Sequence, residues 1–340
     1  MTQDVAGLLD VDSVAEYLVG QRLLEPGSAP SVAALGGGVS NVVLTVDAGP
    51  HHWVVKQSLP RLRVEREWRA TQERTVHEAR GLAIAASLTP RAVPRVVHLD
   101  PQRFVLVIER APDGMLDWKG RLLGGDVDPG VALTLGQLLG RWHLATAADP
   151  GSLASVDHPE AFEQLRVTPY HRAAAAALPP CAPAIGAVVA AMAERRICLV
   201  HGDFSPKNVL TGPEGTWVID FEVAHRGDPD FDVAFLLCHL MCKFVHLPGS
   251  RAALADAGRA FLAAYCETVG TPGWFAPDCH RAAHLGALLL ARVDGASPAE
   301  YLDAADRSTV RRLGAQILAE PPDELDAVWT MAGSMLQGDR

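Results

Sequence analysis

Two carboxylates and a carboxamide stand at a spacing that suits phosphoryl transfer. In the stretch LVHGDFSPKNVLTGPEGTWVIDFE, residues 199–222, Asn208 follows Asp203 by five positions and Asp220 follows it by seventeen. The flanking patterns predict a strand that leads into Asp203 and a hairpin that ends at Asp220. Phosphoryl transfer needs an acceptor for the proton of the attacking hydroxyl and hard oxygen ligands for Mg²⁺. We therefore predict Asp203 as the catalytic base and Asn208 and Asp220 as the metal ligands.

This stretch resembles the catalytic and metal-binding loops of the aminoglycoside phosphotransferase and choline kinase superfamily of small-molecule kinases. It resembles protein kinases more distantly, because those have Arg at the position of Gly202 and Gly at the position of Glu222. Only about eight residues separate Glu222 from the helix predicted near Phe231, which leaves no room for an activation loop and a peptide-docking segment. The resemblance implies ATP or GTP as phosphate donor, Mg²⁺ as cofactor and a small molecule as acceptor.

An upstream lysine fits the phosphate-binding half of such a site. Lys56 lies on a predicted strand in HWVVKQ and is one of four lysines in the chain. A compact ammonium at that place can reach the α- and β-phosphates of a nucleotide. The family supplies a carboxylate on the next helix that pairs with this lysine; we prefer Glu78, with Glu73 and Glu67 as alternatives.

Two further segments are predicted to bind the nucleotide. The glycine-rich segment before the Lys56 hairpin offers a flexible backbone whose amides can close over phosphates. The resemblance makes IERAPDG the hinge between lobes, where backbone groups of residues 109–111 would contact adenine or guanine. The predicted nucleotide-binding residues of these segments are Gly36, Gly37, Gly38, Ser40, Asn41, Glu109 and Ala111.

The acceptor is predicted only as a class. The run VVKQSLPRLRVEREW, followed by RTVHEARGL, resembles methylthioribose kinases, whereas Asn208 follows the aminoglycoside-kinase pattern and Arg292 stands alone where methylthioribose kinases have an arginine pair. We expect phosphorylation of a sugar, a nucleoside or an aminoglycoside- or nucleoside-type antibiotic, which includes a role in antibiotic resistance. The alternatives are a metabolic methylthioribose-like sugar kinase and a nucleotide-binding pseudokinase.

Several nearby residues have open roles. Glu222 is predicted either beside the metal or facing the acceptor pocket, and His201 and Arg292 are candidates either for acceptor binding or for supporting the site. Asp232 is predicted to cap the following helix or to brace the catalytic loop through His201. Cys238 and Cys242 lie four positions apart on an apolar helix face, so core packing is predicted there rather than a zinc site with His239 and His246.

The elements that position these residues form two lobes. A leading helix over 12–24, strands over 42–46 and 53–57, a helix over 71–87 and two strands around DPQ predict a small antiparallel sheet with one helix. After residue 111 the pattern is mainly helical, with two short strands near 209 and 217–219. Helices are predicted over 131–146, 184–195, 231–245, 251–268, 280–292 and 309–318. Strands first and helices later predict an α+β, bilobal, protein-kinase-like fold, with lobes over 1–111 and 112–340.

Composition excludes several classes of protein. The 340 residues carry a formal charge of −10, so the overall field repels nucleic acids and anionic membranes. No apolar run is long enough to cross a bilayer, and the first ten residues lack a signal-peptide pattern. With six cysteines and no C-x-x-C pair, we expect a cytoplasmic protein with reduced thiols, as a monomer or homodimer.

Overall fold

An antiparallel sheet of five strands forms the N-terminal lobe of the computed structural model, which describes residues 7–36, 40–60 and 71–338. In the sheet the strands follow the order β1-β2-β3-β5-β4. Their bounds are β1 Ser31–Ala34, β2 Asn41–Ala48, β3 His51–Ser58, β4 Val96–Asp100 and β5 Val105–Glu109. The predicted sheet is confirmed. The short strand β1 was not predicted, because it is a mostly exposed edge strand without a clear alternation of apolar residues.

Two helices accompany this sheet, α1 over Val14–Gly20 and α2 over Arg74–Leu88. Side chains alternate between the faces of a strand, so neighbours on β3 point in opposite directions. Val55 packs in the core beneath α1. Lys56, paired with Val43 on β2 and Leu106 on β5, points to the other face, towards α2 and the second lobe.

The C-terminal lobe is mainly helical. Its helices are α3 Trp118–Leu123, α4 Pro129–Ala148, α5 Glu160–Ala177, α6 Ala182–Glu194, α7 Pro229–His246, α8 Arg251–Val269, α9 Asp278–Asp294, α10 Ala304–Ala319 and α11 Ala327–Gly338. Six of them follow the predicted runs, whereas α3, α5 and α11 were not predicted. Helix α5 has π-helical turns over Glu163–Arg172 with Pro169 inside, so its apolar residues do not follow the usual period.

Short strands frame the loops of this lobe. They are β6 Leu116–Asp117, β7 Cys198–Val200, β8 Val209–Gly212, β9 Gly215–Val218 and β10 His225–Gly227. The predicted strands are β7, which leads into Asp203, and β8 and β9, which form a hairpin. Strand β7 also pairs antiparallel with β10, so the loop that leaves β7 lies beside the segment that enters β10.

Helix α7 lies at the centre of the second lobe, and nearly all of its residues are buried. Helices α4 and α8 approach closely beside it because Gly136 leaves space: a Cβ there would stand 2.3 Å from the carbonyl oxygen of Phe261. The main hydrophobic core includes Leu82 and Leu106 as well as Trp142 and Phe221, so apolar packing joins the two lobes.

No single helix in the described part of the chain is long and apolar enough to cross a membrane. Two bent helix pairs, 160–177 with 179–194 and 229–246 with 248–269, meet that test of length and composition only when each pair is taken together.

Candidate active site

A short loop after β7 carries the predicted base. The Asp232 carboxylate on α7 accepts hydrogen bonds from the backbone amides of His201 (2.7 Å) and Gly202 (2.9 Å). Gly202 has φ +76°, and a Cβ there would stand 2.9 Å from Val223. Because both amides are held by α7 and the turn requires glycine, the position of the Asp203 backbone is fixed.

Asp203 is buried among three nitrogen donors. Its Oδ2 lies 2.8 Å from Nδ2 of Asn208, 2.7 Å from a guanidinium nitrogen of Arg166 and 2.9 Å from Nζ of Lys207. The structure therefore brings Asp203 and Asn208 together as the motif indicates. Burial alone would raise the pKa of Asp203, but the charges of Arg166 and Lys207 outweigh it and hold the pKa below the ordinary value of 3.8.

Arg166 and Lys207 were not predicted as site residues. Lys207 had a usable signal, since it is one of only four lysines and lies in the loop between Asp203 and Asn208. Arg166 had none, because it lies on the π-helical part of α5, far from the motif in sequence. Its guanidinium also donates to the carbonyl of Gly202 (2.8 Å), so it binds the loop as well as the carboxylate.

Lys56 joins the two lobes of the site. Its Nζ lies 2.6 Å from Oε1 of Glu78 on α2 and 2.8 Å from Oδ1 of Asp220. Burial lowers the pKa of Lys56, but the two carboxylates outweigh this and raise it above its ordinary range. Of the alternatives to Glu78, Glu73 instead bonds the Thr71 hydroxyl, and Glu67 lies outside the described residues.

The pKa values of the two carboxylates beside Lys56 are shifted in opposite directions. Burial raises the pKa of Glu78, and Lys56 offsets only part of that increase. Burial also acts to raise the pKa of Asp220, but Lys56 and Lys207 outweigh it and lower the pKa below the ordinary value of 3.8. Asp220 therefore stays ionised, as a metal ligand must be. It has φ +73°, a strained backbone of the kind found at functional sites.

The end of the glycine-rich segment contacts Glu222. Ser40 Oγ (3.3 Å) and Asn41 Nδ2 (3.2 Å) donate to its carboxylate, and Nε of Arg74 lies 3.4 Å away. The structure thus places Glu222 as a link between the lobes, and its predicted roles beside the metal or at the acceptor stay predictions. The side chains of Ser40 and Asn41 are turned to that link, so we propose backbone groups of this loop, rather than these two side chains, for phosphate binding.

Of the glycines predicted to bind phosphate, Gly36 is exposed, whereas Gly37 and Gly38 lie outside the described residues. The hinge differs in part from the expectation. The amides of Glu109 and Arg110 donate to the carbonyls of Arg95 and His52, so they are taken up by the sheet. The carbonyl of Glu109 and the amide of Ala111 are the hinge groups that we still propose for a nucleobase.

His201 has a supporting role in the geometry. Its Nδ1 accepts from the amide of Asp203 (3.1 Å), so Nε2 carries the proton and donates to the carbonyl of Ile219 (3.1 Å). Burial lowers the pKa of His201, which keeps the ring neutral. The ring therefore joins the Asp203 loop to the strand end that carries Asp220. Asp232 holds this loop through backbone amides and not through the imidazole.

Arg292 lies on α9 and contacts the same aromatic ring as Arg166, the partner of Asp203. Its guanidinium carbon is 5.9 Å from the ring centre of Tyr170, and that of Arg166 is 5.7 Å from the same ring. The Arg292 guanidinium also donates to the carbonyl of Ser297. In the apolar part of α7, Cys238 and Cys242 are buried in the core, as predicted.

We expect Arg166→Gln to move the acid limb of the pH profile of kcat/KM to higher pH. The substitution removes a cation 2.7 Å from Asp203, so the pKa of the carboxylate rises and the ionised base is lost at a higher pH. Kinetic assays across pH test this. Arg166→Lys keeps a cation and should largely restore the wild-type profile; an unaltered profile in Arg166→Gln would contradict the assignment.

Comparisons with known proteins show which sequences and structures this chain resembles. The profile of the Phosphotransferase enzyme family matches residues 31–282. Methylthioribose kinases from Enterobacter sp. (strain 638) and Cronobacter sakazakii are 26% and 28% identical over 252 and 267 residues, or 66% and 70% of this chain. The chain spans 63% and 66% of the length of these two curated relatives.

Solved structures share the fold. A macrolide 2′-phosphotransferase from Brachybacterium faecium superposes with a TM-score of 0.53 at 20% identity, covering 92% of this chain and 99% of that one. A spectinomycin phosphotransferase in complex with ADP and spectinomycin gives 0.51 at 12% identity, covering 96% and 99%. The family match contains every predicted site residue except Arg292, which lies beyond its end.

Proposed function

Because the chain belongs to the Phosphotransferase enzyme family, we propose that it transfers the γ-phosphate of ATP or GTP to a hydroxyl group of a small molecule. The observation that carries this proposal is the convergence of Lys56, Asp203, Asn208 and Asp220 from both lobes. A cation for the phosphates, a base for the hydroxyl and oxygen ligands for Mg²⁺ would thus act together where the two lobes meet.

In the proposed reaction Asp203 orients the acceptor hydroxyl. The hydroxyl oxygen forms a bond to the γ-phosphorus, and the bond to the oxygen bridging the β- and γ-phosphates breaks, so a nucleoside diphosphate leaves. The hydroxyl proton passes to the Asp203 carboxylate. Since its neighbours keep the pKa of Asp203 low, the group is a weak base, which suits a loose transition state in which the proton moves late.

The donor set fits Mg²⁺. Asn208 donates its amide nitrogen to Asp203, so its amide oxygen is the atom that it can offer a metal. Asp220 adds an ionised carboxylate held by Lys56. Oxygen donors of this kind suit a small hard cation, which neutralises charge on the phosphates when bound. Lys56 itself is proposed to hold the α- and β-phosphates, with Glu78 fixing its position.

For the acceptor we propose a sugar, nucleoside or other oxygen-rich molecule rather than a polycationic aminoglycoside. Similarity to methylthioribose kinases supports a sugar. Arg166 and Lys207 flank Asp203, and Arg292 shares the Tyr170 ring with Arg166. These cations would attract hydroxyl or anionic oxygens of an acceptor and disfavour a positively charged group beside them.

A panel of acceptors tests this preference. With ATP or GTP and Mg²⁺, we expect kcat/KM for neutral sugars and nucleosides to exceed that for aminoglycosides by at least about 100-fold, the effect of roughly 3 kcal/mol of unfavourable charge. Efficient phosphorylation of aminoglycosides, with sugars and nucleosides inert, would contradict it.

A substitution at Arg292 separates acceptor binding from the reaction as a whole. Arg292→Gln should raise KM for the acceptor by about 10-fold or more, since hydrogen bonds to charged groups contribute about 1.5–3 kcal/mol. KM for the nucleotide, which binds at Lys56, should change little. An equal rise in both KM values would indicate a general structural loss instead.

A further inference from the structure

Three metal-ligating side chains meet at one point away from the proposed active-site groups. Asp228 lies at the start of α7, and His280 and His284 stand one turn apart on α9. Oδ2 of Asp228 is 3.0 Å from Nε2 of His280 and 3.4 Å from Nε2 of His284, and the two Nε2 atoms are 3.3 Å apart. Within the described ranges, this is the one group of three or more such residues whose ligand atoms all lie within 4.8 Å.

The triangle has the size of one face of a metal tetrahedron. Bonds of about 2.0–2.1 Å to nitrogen or oxygen in tetrahedral geometry separate neighbouring ligand atoms by about 3.3 Å. The observed edges of 3.0, 3.3 and 3.4 Å match that separation. A single cation slightly above the triangle would therefore lie at bonding distance from all three atoms without moving a helix.

Hydrogen bonds account less well for this arrangement. If both imidazoles donated to Oδ2 of Asp228, their two protons would approach the same oxygen from nearly the same side, because the nitrogens are only 3.3 Å apart. The lone pairs of a carboxylate oxygen point apart, so two such donors compete. One cation bound to all three atoms removes both protons and that competition.

The surroundings orient the carboxylate, and Arg195 and Arg281 balance the charges of Asp228 and Asp230. Nε of Arg195 (3.1 Å) and the amide of Asp230 (3.2 Å) hold the other oxygen of Asp228, which leaves Oδ2 to face the histidines. Oδ2 of Asp230 lies 3.9 Å from Nε2 of His280. Asp228 and His284 are buried, whereas the side chain of His280 is 20% exposed, so the open side faces solvent at His280.

We propose that Asp228, His280 and His284 bind a divalent transition-metal ion, with Zn²⁺ as the preferred ion and a fourth position open to water. Two imidazoles with one carboxylate suit Zn²⁺ or Co²⁺ better than Mg²⁺, which prefers oxygen ligands. The ion fastens α9 to the start of α7. Asp232 on α7 holds the amides of the catalytic loop, so by fastening α7 the ion also stabilises the position of that loop.

Metal titration of the untagged, full-length protein tests the site independently of catalysis. After treatment with a chelator, the protein should bind one Zn²⁺ by calorimetry, in the presence of excess Mg²⁺, and its thermal unfolding midpoint should rise. Co²⁺ should give visible absorption bands as intense as those of tetrahedrally coordinated cobalt. The near-ultraviolet bands of cobalt–thiolate bonds should be missing. Binding of neither ion would overturn the proposal, and so would thiolate bands, which would assign binding to cysteines such as Cys279.

Single substitutions locate the ion. His280→Ala, at the partly exposed position, should fold and should weaken Zn²⁺ binding by at least roughly 100-fold, and His284→Gln should do the same. Loss of a residue that only hydrogen-bonds a metal ligand can already weaken binding by that much. His51→Ala removes an exposed histidine at the start of β3, and this variant should bind Zn²⁺ like the wild type. Wild-type affinity in His280→Ala would overturn the assignment.

Discussion

Asp203→Asn should lower kcat by about 1,000-fold, within the range that positioned acid–base groups contribute. The asparagine keeps the size of the side chain but cannot take the proton of the acceptor hydroxyl. KM for the nucleotide should change only slightly, because Lys56 and Asp220 are untouched. Steady-state kinetics with varied nucleotide and acceptor measure both effects.

The control for this result is Asp323→Asn, which makes the same chemical change at an exposed position near the C-terminus. It should keep the wild-type kcat. Because Arg166 and Lys207 lose their shared anion in Asp203→Asn, circular dichroism and a nucleotide-dependent thermal shift should establish that this variant is folded. Undiminished phosphate transfer by a folded Asp203→Asn would contradict the role of the base.

Lys56→Met should lower kcat/KM for the nucleotide by roughly 100-fold or more. The substitution keeps the length of the side chain and removes the charge that lies between two carboxylates. The Lys56 Nζ is 2.6 Å from Oε1 of Glu78 and 2.8 Å from Oδ1 of Asp220. Breaking a buried ion pair costs about 3–5 kcal/mol, because the partner is left without compensation. Here two carboxylates lose the same cation, so the thermal unfolding midpoint should fall as well.

A double variant separates the loss of activity from the loss of stability. In Lys56→Met with Glu78→Gln one of the stranded carboxylates is neutral, so stability should partly recover while activity should not. Lys119→Met is the matched control, because Lys119 pairs with Glu300 on the surface of the second lobe. Wild-type kcat/KM in Lys56→Met, measured beside that control, would rule out the proposed phosphate contact.

The parts of the site that sequence predicts are those encoded locally or by order along the chain. Asp203 and Asn208 stand five positions apart, so a single turn brings them close together. The Lys56–Glu78 pair follows from the succession of a strand and a helix, combined with the family resemblance. The confirmed strands and helices are likewise those whose apolar residues repeat with a clear period.

The parts that sequence reasoning missed depend on tertiary packing. Arg166 reaches Asp203 from a π-helical segment whose pattern predicts no regular helix. Glu222 meets Ser40 and Asn41 across the lobes, 182 and 181 positions away. His280 and His284 show helical spacing in sequence, but Asp228 joins them only through the packing of α7 against α9.

Phosphorus NMR of one reaction mixture tests the central claim most directly. The mixture contains the protein, ATP or GTP, Mg²⁺ and the panel of sugars, nucleosides and antibiotics. We predict that the γ-phosphate signal declines while signals of a nucleoside diphosphate and of a new phosphomonoester grow together, and that Asp203→Asn nearly abolishes both. An unchanged spectrum with bound nucleotide, as a pseudokinase would give, or inorganic phosphate as the sole new product, would contradict transfer to a small-molecule hydroxyl.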